Sequence, residues 1–441
     1  MRESTITRIS NEAQSFSEKQ TDKSKYEQSL DIIDQVTKIS AGLGVAHLST
    51  EDYAFDGQHI TVNGKRLVNF GSCSYLGLEL DPRLKAAAIQ AVERYGSQFS
   101  SSRAYVSVGL YEQAERLLSN IFSQPINLAH TTTLGHLSNI PVIVGDKDAV
   151  ILDSQVHNCV STTVDLLKNR GIPVFTIRHN RMDVLEDKIK RLRMKHKKIW
   201  YMADGVYSMF GDFAPAKDLE RLMNLYEQFY CYIDDAHGMS WAGNRGSGYI
   251  LSQIEFHPKL FLTTGLAKGF GACGGVMVFP DQRSKERVRN CGRTMIFSGP
   301  IQPAVLGSLI ASAKIHLSQE VYTLQTELQK RIRFFNDTAR LYDLPLLMES
   351  NSPIFFVGVG KAEVGYNMVS RLVKKGHYVN LSVFPSVAYK NTGLRIPLTL
   401  HNTEANIESL LRNIAEQLPF ALKDEGSSMD EIYAAFNLER S

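Results

Sequence analysis

Short apolar runs alternate with helical patterns through the middle of the chain, from about residue 125 to 280. The runs occupy 149–152, 173–177, 199–202, 230–233, 260–262 and 275–279. Continuous apolar strands separated by helices predict a mostly parallel central sheet with helices on both faces, the α/β class. After about residue 310 long helices dominate, with few strands such as 354–357, which predicts a smaller C-terminal α+β domain.

The N-terminal part predicts a polar arm, one helix and a hairpin. Residues 1–50 are rich in Ser, Gln, Glu, Lys and Thr. A helix around 26–36 is indicated by three apolar residues at helical spacing, Leu30, Ile33 and Val36. We expect it to dock on the body of the protein or on a partner subunit. Asn63-Gly64 is a strong two-residue turn signal and predicts a hairpin between 59–62 and 66–68.

These patterns divide the chain into three predicted parts. They are an arm with its helix and hairpin over 1–67, a large ligand-binding domain over 68–310 and a small domain over 311–441. The large domain includes a helix that starts at Asp81-Pro82, an N-cap followed by a proline, and ends at Gly96.

Composition narrows the function classes. The 441 residues are 43% hydrophobic and 22% charged, as in soluble globular proteins. With 49 Lys+Arg against 46 Asp+Glu, the chain is too balanced for an electrostatic nucleic-acid binder. The basic run 188–198 indicates either an anion-binding patch or the solvated end of a helix, and we favour the helix.

The absence of a recognisable targeting signal and the cysteine usage predict a cytoplasmic protein. No apolar stretch approaches the length of about 18 residues that a transmembrane helix needs, and no apolar signal core follows the first residues. The five cysteines are widely spaced, with no CxxC pair. They predict reduced thiols, with neither a disulfide framework nor a metal site.

Three polar clusters follow predicted strands, where α/β proteins bind ligands. One contains His157, the second Asp234 and His237, and the third Lys268. Singly, each is typical of surface charge, packing or helix capping. Together they indicate specific chemistry, because a desolvated lysine forms Schiff bases and a buried aspartate needs a cationic partner such as a protonated pyridine. The combination predicts pyridoxal 5'-phosphate.

At these residues the sequence resembles the α-oxoamine synthases, a branch of the fold-type I pyridoxal-phosphate enzymes that includes serine palmitoyltransferases. The resemblance covers about residues 55–420. It is carried by the order and spacing of several motifs: 74–78 (SYLGL), 101–103 (SSR), His157, 205–212 (GVYSMFGD), 234–237 (DDAH), 266–268 (LAK), 297–298 (FS) and 394–396 (LRI).

The resemblance implies a role for each matching residue. Lys268 would carry the cofactor as a Schiff base, Asp234 would pair with its pyridine nitrogen and His157 would stack on its ring. His237 would bind the phenolic oxygen, with Ser208 close by. The phosphate would be held by Gly135, His136 and Thr264, with Ser298 reaching the cofactor of the neighbouring subunit. The substrate residues would be Arg395, for a carboxylate, and Ser74.

Several positions depart from the family pattern. Gly265 replaces a threonine that binds phosphate, so we expect Thr264 to substitute for it. Gly299 follows Phe297-Ser298 where the family has threonine, Ser74 replaces asparagine and His136 replaces an aromatic residue. The residues expected to contact the cofactor ring match the family, while those expected near the phosphate and the substrate differ from it.

The implied activity is a decarboxylative condensation of an amino acid with an acyl thioester, giving an α-amino ketone, in a homodimer. A serine-palmitoyltransferase-like reaction is the favoured hypothesis. Glycine, alanine or cysteate as substrate, an autoinducer-type synthesis, and coenzyme A or carrier protein as acyl carrier all stay open. Other hypotheses are transamination or aldol cleavage on the same fold, and a catalytically inactive partner subunit.

Overall fold

Two β-sheets organise residues 24–439, the part of the chain that the computed structural model describes. In chain order the strands are β1 (His59–Val62), β2 (Lys65–Phe70), β3 (Ile126–Ala129), β4 (Ala149–Asp153), β5 (Val174–Ile177), β6 (Ile199–Asp204), β7 (Phe229–Asp234), β8 (Leu260–Gly265), β9 (Gly275–Val278), β10 (Ile354–Gly360), β11 (His377–Ser382) and β12 (Thr392–Pro397).

Helices cover these sheets. They are α1 (Lys25–Gly42), α2 (Pro82–Tyr95), α3 (Leu110–Phe122), α4 (Thr132–Ile143), α5 (Asn158–Lys168), α6 (Met182–Leu192), α7 (Ala216–Leu225), α8 (Tyr249–Gln253), α9 (Gln282–Cys291), α10 (Arg293–Ile296), α11 (Pro303–His316), α12 (Glu320–Leu341), α13 (Ala362–Lys374), α14 (Glu404–Asp424) and α15 (Met429–Phe436). Among the described residues, no helix is both long and apolar enough to cross a membrane.

The large sheet confirms the α/β prediction. Its seven strands lie in the order β3-β9-β8-β7-β6-β4-β5, and β9 alone runs against its neighbours. Alternation along β6 sends Trp200 and Met202 into the core on one face, and Tyr201 and Ala203 into the core on the other. Because both faces are covered, every residue of β6 is buried. The sequence pattern did not predict the short strand β3.

The smaller sheet has five strands in the order β1-β2-β11-β12-β10. It joins the N-terminal hairpin to three strands of the C-terminal part. The predicted hairpin forms, with Asn63 and Gly64 both at positive φ. Its second strand then pairs in parallel with β11, Val68 opposite His377. The boundaries at residues 67 and 310 stay predictions, but the N-terminal hairpin and the C-terminal strands share one sheet.

Helix α1 is longer than the predicted 26–36. Ser24 caps it by accepting the amide of Glu27. The hydroxyls of Ser40 and Tyr366 lie 2.9 Å apart and tie its last turns to α13. Leu30 and Ile33 are 46% and 38% exposed in the single chain, so docking on a partner stays a prediction. The first 23 residues of the predicted arm lie outside the described residues.

His179 fastens the edge of the large sheet where β4 and β6 end. Its Nδ1 lies 2.9 Å from Asp153 Oδ1, at the end of β4, and its Nε2 lies 2.6 Å from Asp212 Oδ2, in the segment after β6. Burial lowers the pKa of His179, but the hydrogen bonds to both aspartates outweigh it and raise the pKa to about 9. The imidazolium thus connects two segments that flank the carboxyl edge of the sheet.

We expect His179→Gln to destabilise the protein more at neutral than at alkaline pH. Since the pKa is raised on folding, the ion pairs stabilise the fold fully below about pH 6.5, and this stabilisation is lost as the pH rises through about 9. Its size is on the order of 2–3 kcal/mol. Urea unfolding at pH 6.5, 8 and 9.5 measures it. The control is His377→Gln, because burial lowers the pKa of His377 to about 4 and its effect should not change over this range.

A second expectation concerns the contact between α2 and α11. A Cβ on Gly307 would meet the carbonyl oxygen of Ala87 and lie 3.0 Å from the Cβ of Ala91. Although alanine is the better helix former by about 1 kcal/mol, Gly307→Ala should therefore destabilise the fold by about 1–3 kcal/mol. Gly42→Ala, at the open end of α1, is the matched control and should be neutral. Equal unfolding midpoints for both variants would contradict the packing described.

Candidate active site

Three aspartates end neighbouring parallel strands at one edge of the large sheet. They are Asp153 on β4, Asp204 on β6 and Asp234 on β7, and the last two face each other in register. Asp204 and Asp234 are 3% and 5% exposed. Burial, and then the charge of Asp234, raises the pKa of Asp204 well above its usual value. The environment at this edge therefore favours the neutral form of Asp204 beside an ionised Asp234.

Asp234 stays ionised because its neighbours donate to it. Its Oδ1 accepts the amide of Ala236 at 3.0 Å, and its Oδ2 lies 2.9 Å from His136 Nε2. Burial raises the pKa of Asp234, but His136 and then Lys268 outweigh it and bring the pKa to about 2. Ligand atoms of His136, Cys159 and Asp234 lie within 4.8 Å of one another. This corner is therefore built to face a cation or a hydrogen-bond donor.

Lys268 follows the end of β8 and is half-buried. Burial lowers the pKa of its amine, and the charge of Asp234 opposes this effect only in part. Within residues 24–439, the Nζ atom makes no hydrogen bond. A desolvated amine without a fixed partner is suited to form a Schiff base with a carbonyl ligand.

The two predicted histidines differ in burial and in hydrogen bonding. His157 caps α5 by accepting the amide of Cys159 at 3.2 Å, and it is exposed. His237 is buried, and its Nδ1 lies 2.7 Å from the hydroxyl of Tyr75. Burial, and then Lys268, lowers the pKa of His237 well below the usual value.

Tyr75 is a site residue that sequence reasoning missed. Its backbone has φ +45°, a left-handed conformation that bulky residues rarely adopt, and its side chain is fully buried. This conformation lets the hydroxyl reach His237. Strain of this kind is common at functional sites.

The predicted phosphate ligands on α4 need correction. Thr131 is the N-cap of this helix, and its side chain accepts the amide of Leu134. The amide of Gly135 donates to the Thr131 carbonyl within the helix, so it is not available to a ligand. His136 is fully buried and its ring faces Asp234. The amides at the open end of the helix belong to Thr132 and Thr133 instead.

Thr264 is also not placed for phosphate. Its hydroxyl donates to the carbonyl of Asp235 at 3.0 Å, and the residue is 1% exposed. Because strand residues alternate between faces, Thr264 points away from the side that Gly265 faces. A Cβ on Gly265 would lie 3.1 Å from the hydroxyl of Thr132. Thr132 therefore occupies the space that the missing threonine at position 265 would fill.

Arg395, on β12, links the two sheets. Its Nε donates to the carbonyl of Ser208 at 2.6 Å, and both terminal nitrogens lie 3.6 Å from the sulfur of Cys73. Ser74 is buried and its hydroxyl accepts from Ser72 at 3.1 Å. Cys73 thus places its thiol beside the guanidinium. The sequence motif did not single out Cys73, because the motif's asparagine aligns with the next residue, Ser74.

Ser298 precedes Gly299, whose carbonyl oxygen lies 3.4 Å from Nδ1 of His130, just before α4. Ser298 follows the short helix α10 and is half-buried, and its hydroxyl donates to the carbonyl of Gly299 at 3.4 Å. The neighbouring Phe297 is 84% exposed. Contact between Ser298 and the cofactor of a second subunit stays a prediction.

The described residues fit pyridoxal phosphate. An ionised, buried carboxylate at Asp234 matches a protonated ring nitrogen, and the open end of α4 matches a phosphate. Lys268 has the lowered pKa that imine formation requires. These three features lie at the carboxyl ends of parallel strands, the usual ligand position in this class of sheet.

Comparisons with known proteins agree with this arrangement. Residues 65–414 match the family model of aminotransferase class I and II. The chain is 30% identical over 352 residues to an 8-amino-7-oxononanoate synthase of Alkaliphilus metalliredigens, covering 79% of this chain and 87% of that relative. It is 26% identical over 364 residues to a serine palmitoyltransferase of Bacteriovorax stolpii, covering 81% and 84%.

Solved structures share the fold. A serine palmitoyltransferase from S. paucimobilis, with a bound PLP–myriocin aldimine, matches with a TM-score of 0.81 at 22% identity, covering 92% of this chain and 100% of that one. An 8-amino-7-oxononanoate synthase from Francisella tularensis gives 0.65 at 21% identity, covering 80% and 98%. The chain belongs to the aminotransferase class I and II family and is, within it, a pyridoxal-phosphate-dependent enzyme of the α-oxoamine synthase type.

Proposed function

We propose that this enzyme joins an α-amino acid to an acyl thioester, with loss of carbon dioxide, and releases an α-amino ketone. The observation that carries the proposal is the convergence of Lys268 and Asp234 at one sheet edge, with Arg395 held nearby for a carboxylate. A serine-palmitoyltransferase-like reaction is our specific proposal. Glycine, alanine and cysteate are the alternative amino acids, and the acyl carrier is coenzyme A or a carrier protein.

The cofactor, when bound, withdraws electrons from the amino acid's Cα. Lys268 would bind it covalently and, once displaced by substrate, move a proton on and off Cα. The lowered pKa supports this role, because a base must lose its own proton near neutral pH. Asp234, kept ionised, would hold the ring proton in place. This ion pair strengthens as negative charge develops, so it favours the transition state over the ground state.

Other residues would orient the cofactor. His157 would stack on the ring from the N-terminus of α5, and His237, backed by Tyr75, would bind the phenolic oxygen. Thr132 and Thr133 would receive the phosphate at the helix terminus. In a homodimer with two-fold symmetry, Ser298 would complete the phosphate site of the second subunit.

Arg395 would bind the substrate carboxylate. A guanidinium holds a carboxylate through two parallel hydrogen bonds, and both of its terminal nitrogens lie on the side of Cys73. The bond from Nε to the Ser208 carbonyl fixes the plane of the guanidinium. Cys73 would then border the carboxylate subsite and limit the space beside it.

Two alternatives are compatible with the same fold. An aminotransferase would need no acyl thioester, and an inactive partner subunit would lack the Schiff-base lysine. Retention of Lys268, Asp234, His157 and His237 speaks against the inactive subunit. The similarity to a serine palmitoyltransferase and to an 8-amino-7-oxononanoate synthase favours condensation over transamination.

The visible spectrum of the purified protein, before and after a panel of amino acids, tests the proposal. We expect an absorbance band of the bound cofactor that one amino acid shifts, and that Lys268→Ala abolishes. The exposed Lys217→Ala is the matched control and should keep the band. A wild-type protein that stays colourless after added pyridoxal phosphate would contradict the role of Lys268.

Arg395 variants test the carboxylate subsite. Arg395→Lys keeps the charge but loses the planar fork, so KM for the amino acid should rise about tenfold with a smaller change in kcat. Arg395→Ala should lower kcat/KM by about a hundredfold. Arg412→Lys, on the exposed face of α14, is the control. An unchanged KM in Arg395→Lys would remove this residue from substrate binding.

A further inference from the structure

His136 is a fully buried imidazole at the centre of the cofactor region, and neither of its ring nitrogens faces solvent. Its Nε2 lies 2.9 Å from Asp234 Oδ2, and its Nδ1 lies 2.7 Å from the hydroxyl of Tyr232. That hydroxyl in turn lies 2.8 Å from Thr263 Oγ1. The four side chains form one hydrogen-bonded chain that ends on the carboxylate.

The carboxylate of Asp234 determines which atom donates in its hydrogen bond with His136. An ionised carboxylate only accepts hydrogen bonds, so the hydrogen must lie on His136 Nε2. Tyr232 supports the ring through Nδ1 and keeps it facing Asp234. Of the other groups on Asp234, Ala236 donates to the opposite oxygen, and the Cys159 thiol, at 3.8 Å from Oδ2, is a weak donor. His136 is therefore the strong side-chain donor to Oδ2 among the described residues.

This contact decides where a shared proton would lie. A buried carboxylate facing a pyridine nitrogen has two arrangements, a neutral acid with a neutral ring or a carboxylate with a pyridinium. A hydrogen bond donated to the carboxylate stabilises its ionised form and makes it the weaker base. The arrangement with the proton on the ring is then favoured, although the site is buried.

We propose that His136 is a positioning residue that keeps the proton on the ring nitrogen of the bound cofactor by donating to Asp234. The inference rests on the role given to Asp234 in the proposed function, and it deepens that role. It also gives a physical reason for a histidine at a position where the family has an aromatic residue.

The test is the ¹⁵N resonance of pyridoxal phosphate labelled at the ring nitrogen, bound to the enzyme without substrate. In the wild type we expect the resonance of a protonated ring. His136→Phe, which keeps a ring in the cavity, should move it toward the unprotonated position and weaken cofactor binding about tenfold or more. His136→Gln restores an N–H donor and should return the resonance most of the way.

Two further variants guard against a change in folding. Tyr232→Phe is nearly isosteric and leaves Nδ1 of His136 without its partner, so it should give a smaller shift in the same direction. His377→Phe replaces another buried histidine, on β11 of the five-stranded sheet, which contacts Asn413 of α14. It should leave the resonance unchanged. Circular dichroism of each variant establishes that the fold is kept.

The outcomes separate this inference from the proposed function. A protonated ring in both wild type and His136→Phe would overturn the inference, as would an unprotonated ring in the wild type. The measurement needs no amino acid and no thioester. If the resonances of wild type and His136→Phe differ as expected but the wild type forms no ketone, the result counts against the proposed reaction alone.

Discussion

The carboxylate of Asp234 is charged, 5% exposed and fixed to the end of a central strand, and the rest of the site is arranged around it. A buried charge is costly unless nearby groups donate to it or oppose its charge. Here the Ala236 amide and the His136 ring donate, and Lys268 supplies positive charge. The same requirement makes the site selective, because a ligand that places a positive charge beside Asp234 gains an electrostatic interaction that a neutral ligand lacks.

The neighbouring strand ends show three ways to accommodate an acid on one sheet edge. Asp153 pairs with His179, whose raised pKa keeps it cationic. Burial and the charge of Asp234 raise the pKa of Asp204 and favour its neutral form. Asp234 is ionised like Asp153 but, unlike Asp153, is left open to a ligand. Parallel register brings these strand ends together, so the fold concentrates acids at this edge. The surrounding residues then lower the pKa of Asp153 and Asp234 and raise that of Asp204.

Sequence patterns predicted the features that depend on neighbouring residues along the chain. They missed those in which a shift of one or a few residues changes where a side chain points. The buried strands, the Asn63-Gly64 turn and the placement of Asp234 at the end of β7 followed from apolar runs and turn chemistry. Thr264 was expected to replace a threonine at position 265, but strand alternation turns its side chain to the other face. Gly135 and His136 were matched to a phosphate loop, whereas both lie inside α4, which begins at Thr132. The pairing of β2 with β11 joins residues some 300 positions apart, which no local pattern reveals.

The most direct test of the account measures the stoichiometry of the reaction. The holoenzyme is incubated with each amino acid and a series of acyl thioesters, while carbon dioxide, free thiol and α-amino ketone are quantified together. The account predicts that all three appear in equal amounts, with one amino acid strongly preferred, and that none appears with Lys268→Ala. Transfer of the amino group to an oxoacid, without release of carbon dioxide or thiol, would contradict it.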